Sequence, residues 1–502
     1  MLTLHTPEQA VHWLRQHVTG TLRTDSRQVQ PGDAFIAWPG AATDGRAHVA
    51  DALARGAAAC LVEQHGVDAF GLTHDCIATL PYLKAATGPL AALWFDHPTR
   101  QLCVLAVTGT NGKTSTAWWL AHAWNALSHT SAAMQAECAV VGTLGSGLLP
   151  RLESTGMTTP DPVHLQNAFR RFADMGAQAC AIEASSIGLA EQRLAGTQIR
   201  VAIFTNFTQD HLDYHGTMAH YWQAKRALFA WPDLQVAVVN IDDPVGAELH
   251  AELQTQLPAL DLWSISAAGP ARLFATDIAL TDQGLQCVVQ EGQECLPLST
   301  NVIGHYNVLN LLGVIAALRS QGCTLHEAAN ACARLEPVPG RMQRLLVPGQ
   351  PLVAVDYAHT PDALAQVLHA LRPVAQERGG KLWCVFGCGG DRDASKRPLM
   401  GAVAQRQADH VVVTSDNPRS EVPAIIIHQI MQGMVAGTTV HVEPDRATAI
   451  AQVLAQADAA DVVLIAGKGH EDTQEIAGQR YAFSDMAHAQ AALQARGIST
   501  WA

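Results

Sequence analysis

The sequence predicts an α/β protein built as three successive blocks, the second and third organised around mostly parallel sheets. Three observations predict this. Short apolar runs of strand length alternate with helical stretches along most of the chain. Two proline-bearing junctions interrupt that rhythm, and a Gly/Lys/Thr loop directly follows the first buried strand of the second block.

The first block, residues 1–98, mixes short strands and helices: "DAFIAWPG" reads as a strand into a turn and "HVADALARGAAACLVE" as a helix then a strand. "FDHPTRQ" is the first junction, because Pro98 disfavours helix at His97. The second block, 99–337, opens with a strand over 102–108 and a helix over 115–126, followed by buried-strand runs at "ACAIEAS", "IRVAIFTN" and "VAVVN". Short antiparallel strands are expected over 271–298, then a helix through "NVLNLLGVIAALRSQG" ended by Gly322. "LEPVPGRMQ" is the second junction. In the third block, 338–502, the strand runs "LVAVDY", "KLWCVFG", "HVVVTS", "TTVHVE" and "DVVLIAG" indicate a second doubly wound domain. Polar loops follow several of these strands, where open parallel sheets hold ligands.

The chain has 502 residues, 48% hydrophobic and 15% charged, which suits a globular protein with several cores. The net charge of −13 argues against bulk attraction to nucleic acid or anionic lipid, so attraction for an anionic ligand must come from local Lys and Arg. The N-terminus lacks the pattern of a signal peptide, and no uncharged apolar run approaches the ~20 residues that span a bilayer. The eleven cysteines are scattered; Cys384 and Cys388 form the nearest pair, with no second pair to complete a zinc site. Free thiols in a reducing cytoplasm are the expectation.

"VTGTNGKTST" carries the first chemistry. Gly109 and Gly112 let backbone N–H groups turn toward an anion, and the following helix aims its positive end at the same place. Lys113 can reach a terminal phosphate and Thr114 a magnesium ion. Val107 occupies the position of the usual first glycine, yet an ordinary turn would not call for Lys-Thr here. Glu183 ends one buried strand, and Asp210, His211, Asp213 and His215 follow another. Hard oxygen ligands of this kind suit magnesium, although a structural role for Glu183 and His211 is equally open from spacing alone. Lys225, in "YWQAKRALF", falls on an amphipathic helix, where spacing alone favours a solvated lysine.

In order along the chain stand "GTNGKTST", "FTNFTQDHLDYHG", "YWQAKRALF", "GHYNVLN", "VDYAHTPDAL", "FGCGGDRDASKRPLMG", "SDNPRSE" and "AGKGHE". With these motifs the chain resembles the Mur ligases of peptidoglycan synthesis over nearly its whole length. The resemblance implies an N-terminal uridine-binding domain, a central P-loop ATPase domain and a C-terminal Rossmann-like, amino-acid-binding domain. It implies an ATP-dependent amide ligase that phosphorylates the D-glutamate carboxylate of UDP-MurNAc-L-Ala-D-Glu and lets the amine of meso-diaminopimelate displace the phosphate. It further implies magnesium, a carbon-dioxide-derived carbamate on Lys225, a cytoplasmic location and a monomer.

Site residues carry over from the same resemblance. Gly109, Thr110, Asn111, Gly112, Lys113, Thr114 and Ser115 would cradle the ATP phosphates, Asn307 and Asn310 its adenine end. Arg341, Asp356 and His359 would reach ATP from the third domain. Thr114, Glu183, His211 and carbamylated Lys225 would support the metal ions, with Lys113, Lys225, His211 and Glu183 as the catalytic set. Thr24, Ser26, Thr158, Thr159, Ser185, Glu191 and Arg193 would face the nucleotide-sugar peptide. Arg392, Asp416, Asn417, Pro418, Arg419, Gly467 and Glu471 would bind diaminopimelate, Arg419 forking onto its second carboxylate. Ala41, Ala42, Met157, Ile187 and Glu191 depart from the family pattern, all on the nucleotide-sugar side. Glu191 is expected to add negative charge beside an anionic substrate. The alternatives are a sister Mur or folylpolyglutamate-type ligase, a catalytically silent nucleotide-binding descendant, or a P-loop kinase or GTPase; the last leaves "DNPR" unexplained.

Overall fold

The computed structural model describes residues 1–40, 43–128, 130–281, 284–435 and 440–498. Ala41 and Ala42 therefore lie outside the described residues. Three sheets follow one another along the chain. The first has five parallel strands, in the order Leu2–Thr3, Ile77–Leu80, Ala59–Glu63, Ala34–Ala37 and Leu22–Arg23. The helix Leu83–Trp94 covers it; the Glu63 carboxylate accepts from the Tyr82 and Leu83 amides and so satisfies that helix's first donors.

The second sheet has ten strands, running from Glu294–Thr300 through Gly284–Glu291, Leu273–Thr281, Asp261–Ser266, Val236–Asn240, Val201–Phe204, Cys103–Thr108, Ala179–Glu183 and Cys138–Gly142 to Gly145–Leu148. Cys103–Thr108 is fully buried, as its unbroken apolar run requires of a strand covered on both faces. Its two neighbours are later segments on opposite sides, which makes its carboxyl end a switch point of the sheet. Parallel register lines up Val107 with Glu183 and Thr108 with Phe204, so the loops after these strands emerge side by side.

The segment expected as short antiparallel strands forms three strands, Leu273–Thr281, Gly284–Glu291 and Glu294–Thr300, each antiparallel to the next. The first of them also runs parallel to Asp261–Ser266, which joins the set to the parallel sheet. All three extend the central sheet, because Leu273, Ala275, Leu285, Val289 and Leu298 contribute to the same core as the phosphate-loop strand. The helix Tyr306–Ser320 ends before Gly322, whose φ of 96° suits glycine. It packs against the helix Lys113–Leu127.

The third sheet, in the order Gln343–Leu345, Leu352–Asp356, Val462–Ala466, Leu382–Phe386, His410–Val413 and Val440–Val442, is parallel except at its first strand. Part of the expected "TTVHVE" strand lies outside the described residues. Asp356, Ala466, Phe386 and Val413 end adjacent strands in register, and the loop beyond Asp356 faces the central sheet's phosphate loop. Arg446 and Asp485, both fully buried and paired at 2.7 Å, hold that edge together: the guanidinium also donates to the carbonyls of Ser415 and Ala466.

Candidate active site

The phosphate loop turns on two glycines that no other residue can replace without displacement. Gly109 has φ 147° and Gly112 φ 83°; a Cβ on Gly109 would lie 1.9 Å from Thr205 Oγ1, and one on Gly112 2.4 Å from Asn310 Oδ1. Gly112 caps the helix, which begins at Lys113 rather than at 115, so the Lys113, Thr114 and Ser115 amides form its open positive end. Lys113 Nζ folds back to donate to the Gly109 and Thr110 carbonyls, each at 2.8 Å. Burial holds its pKa below the ordinary lysine value.

Glu183, buried at the end of its strand, accepts from Thr114 Oγ1 at 2.9 Å. Thr143, which sequence reasoning missed, fixes the other side of this carboxylate: its amide donates to Oε1 at 2.7 Å and its hydroxyl to Oε2 at 3.2 Å. A Cβ at Gly142 would lie 2.2 Å from Glu183 Oε1, so the glycine of "VGT" was the available signal. Asn206 was missed too; its carbonyl accepts from Thr110 N and its side chain from Asn111 N, holding the phosphate loop against the next strand.

His211 stands at φ 53° beside Asp210. Its pKa falls to about 4 through burial and the neighbouring Lys113, leaving the imidazole neutral near pH 7 with a lone pair free for a metal. Burial alone would raise the Asp210 pKa. His359, His211 and Lys396 outweigh it, and the carboxylate lies well below its ordinary range. Asp213 and His215 take no such place; His215 is buried against Ser186 Oγ at 3.0 Å.

Lys225 corrects the expectation of a solvated side chain. It is 1% exposed, donates to the Gly109 carbonyl at 2.6 Å and lies 4.4 Å from the Tyr221 ring centroid. Burial, reinforced by Lys113, drives its pKa well below the ordinary lysine value.

The third domain closes over this loop. Arg341 donates to Thr114 Oγ1 at 3.0 Å and stacks over Tyr357, while Asn111 donates to Asp362 at 3.0 Å. The buried Asp356 accepts from the Met342 and Ala358 amides, and burial raises its pKa. Between the domains lies a cavity of about 790 Å³. The loop residues 110–115, Glu183, His211, Asn307, Asn310, Arg341, Asp356 and His359 line it. So do Thr158, Ser185, Arg193 and Arg392, with the departing residues Met157 and Ile187.

The remaining expected residues lie apart from that lining. Gly109 and Lys225 sit beneath the loop, and buried Thr159 donates to the Glu183 carbonyl at 2.6 Å. Thr24 and Ser26 follow the edge strand of the first sheet. Asp416, Asn417, Pro418, Arg419, Gly467 and Glu471 form a second group on the third sheet. There Asn417 Nδ2 donates to Glu471 at 2.7 Å, and Lys468, fully buried and not singled out from sequence, bonds to both. Arg419 adopts φ 51°, held by Arg419 N on the Glu475 carbonyl, and its guanidinium donates to Gly390 O at 2.7 Å. Glu191 corrects a second expectation: its charge is not free, because Lys84 of the first domain pairs with it at 2.7 Å.

Comparison with known proteins agrees with this geometry. A family model described as the Mur ligase middle domain matches residues 107–318, the Mur ligase glutamate ligase domain matches 340–469, and the Mur ligase family catalytic domain matches 20–86. The chain is 70% identical over 495 residues to a UDP-N-acetylmuramoyl-L-alanyl-D-glutamate–2,6-diaminopimelate ligase from Acidovorax sp. (strain JS42), covering 99% of this chain and 98% of that protein. A protein of the same description from Janthinobacterium sp. (strain Marseille) is 44% identical over 513 residues, covering 99% and 98%. A solved structure of such a ligase aligns with a TM-score of 0.65 at 36% identity, over 95% of each chain. The chain therefore belongs to the Mur ligase family and is an ATP-dependent amide ligase.

Proposed function

We propose that the protein joins meso-diaminopimelate to the D-glutamate γ-carboxylate of UDP-MurNAc-L-Ala-D-Glu, through an acyl phosphate, as a step of peptidoglycan synthesis. The observation that carries this reading is the meeting of Lys113, Thr114, Glu183, His211 and Arg341 at one end of a cavity shared by two domains. A carboxylate resists attack because its charge repels the amine and oxide does not leave; transfer of the ATP γ-phosphoryl group supplies a leaving group. Lys113 and Arg341 would stabilise charge on that group. Contact of the third domain with the loop would help to exclude water, which hydrolyses an acyl phosphate.

The residues fit magnesium at two places: the Glu183 carboxylate and Thr114 hydroxyl would hold one ion and the His211 imidazole a second, with phosphate and water oxygens completing each shell. Bound magnesium would neutralise phosphate charge. Lys225 fits a carbamate, because burial lowers its pKa and favours the neutral amine, which can attack carbon dioxide and release a proton to give a carboxylate-like group. The proposed division is 1–98 for the nucleotide sugar, 99–337 for ATP and ligation, and 338–502 for the amino acid. A cytoplasmic monomer is the proposed state; no described helix is long and apolar enough to cross a membrane.

In the amino-acid pocket, Arg419, Asn417 and Arg392 suit a second carboxylate and Asp416 with Glu471 an ammonium. Phosphate release with ATP and UDP-MurNAc-L-Ala-D-Glu should be strong with meso-diaminopimelate and weak with L-lysine; equal rates would sink the assignment. Thr143→Val keeps the backbone bond to Glu183 but removes the hydroxyl bond. The magnesium concentration for half-maximal rate should then rise roughly fivefold, consistent with one lost hydrogen bond of about 1 kcal/mol. An unchanged magnesium titration would show that Thr143 does not orient the ligand.

A further inference from the structure

We infer that Glu191 is not a ligand of the nucleotide sugar in this protein but a positioning residue, which with Lys84 clamps the loop carrying Arg193 against the first domain. Both carboxylate oxygens are occupied. Oε2 pairs with Lys84 Nζ at 2.7 Å, and Oε1 accepts from the Tyr214 hydroxyl. The charge is little exposed, with Glu191 at 16% and Lys84 at 36% side-chain exposure. Lys84 lies in the first turn of the helix Leu83–Trp94, one turn before Gly88.

Gly88 provides the second point of the clamp. A Cβ there would lie 2.2 Å from the Ala195 carbonyl oxygen, and one on Gly196 2.5 Å from the Gly88 carbonyl oxygen. The segment 191–196 thus runs along one face of the first-domain helix, tied by an ion pair at one end and by backbone contact at the other. Arg193 sits between these ties, donates to the Thr159 carbonyl at 2.9 Å and lines the cavity. An arginine held this way presents its guanidinium at a defined place, and the first domain's position fixes that place. The pair also neutralises the negative charge that an unpaired Glu191 would set beside an anionic substrate.

This inference deepens the proposed function and rests on it for the identity of the substrate, so two readouts keep the two apart. In the protein without substrates, hydrogen exchange at the Arg193, Ala195 and Thr197 amides, which bond to Gly188, Gln192 and Leu194 carbonyls, should quicken in both K84M and E191Q. Unchanged exchange in both would overturn the clamp whatever the substrate. In turnover, each variant should raise the KM for UDP-MurNAc-L-Ala-D-Glu about three- to fivefold, with kcat and the KM for ATP little changed. The double variant should be no worse than the weaker single, because one interaction is removed in all three. K84R should restore the KM. If E191Q raises the KM while K84M does not, or if the two effects multiply, Glu191 acts on the substrate directly and the inference fails.

Discussion

Lys225→Ala is expected to lose on the order of 100- to 1,000-fold in kcat, and acetate or another short carboxylic acid should restore part of it. The argument starts from burial. An ammonium at 1% exposure, bonded to one carbonyl and facing an aromatic ring, is poorly paired, and its pKa is pushed well below that of a free lysine. No carboxylate is bonded to it among the described residues, so the position is costly for a cation and suited to a neutral amine. A neutral amine is the form that carbon dioxide carbamylates. Removing the side chain leaves a cavity beneath the phosphate loop that a small carboxylate can enter. Full activity of the alanine variant, or an inactive variant that no carboxylate rescues, would refute the carbamate. A melting temperature within a few degrees of wild type would separate chemistry from folding.

Arg419→Lys is expected to lower kcat/KM for meso-diaminopimelate about 10- to 100-fold, as for the loss of a charge-assisted fork, and to leave the slow rate with L-lysine nearly unchanged. The backbone at 419 is tied on both sides, through the Glu475 carbonyl and the Ala477 amide, so the side chain starts from a fixed point. A guanidinium already bonded to Gly390 keeps donors to offer a carboxylate, whereas an ammonium in its place offers a point charge without the planar fork. Unaltered discrimination between the two amines would remove Arg419 from the pocket.

Much of the architecture was legible in the chain because its signals are local. Unbroken apolar runs such as "CVLAVT" mark strands covered on both faces, and Gly109, Gly112 and Gly322 mark backbone that only glycine adopts freely. The start of the phosphate-loop helix was misjudged by two residues, since the cap depends on the φ of Gly112 rather than on composition. The parallel attachment of Leu273–Thr281 to Asp261–Ser266 was not legible, because a strand's partner is chosen by core packing and not by its own residues.

By itself the sequence determined the alternation of elements and the glycine loop between the strand Cys103–Thr108 and the helix that follows it, both of which are encoded within a few residues of one another. Only the tertiary structure decided the states of Lys225 and Glu191. A lysine on an amphipathic helix becomes a buried, deprotonation-prone amine when packing sets it against Gly109, and a glutamate that reads as excess charge becomes half of an ion pair when the first domain brings up Lys84. The physical reason is the same in both cases: desolvation and pairing depend on neighbours far away in the chain, and no local pattern names them.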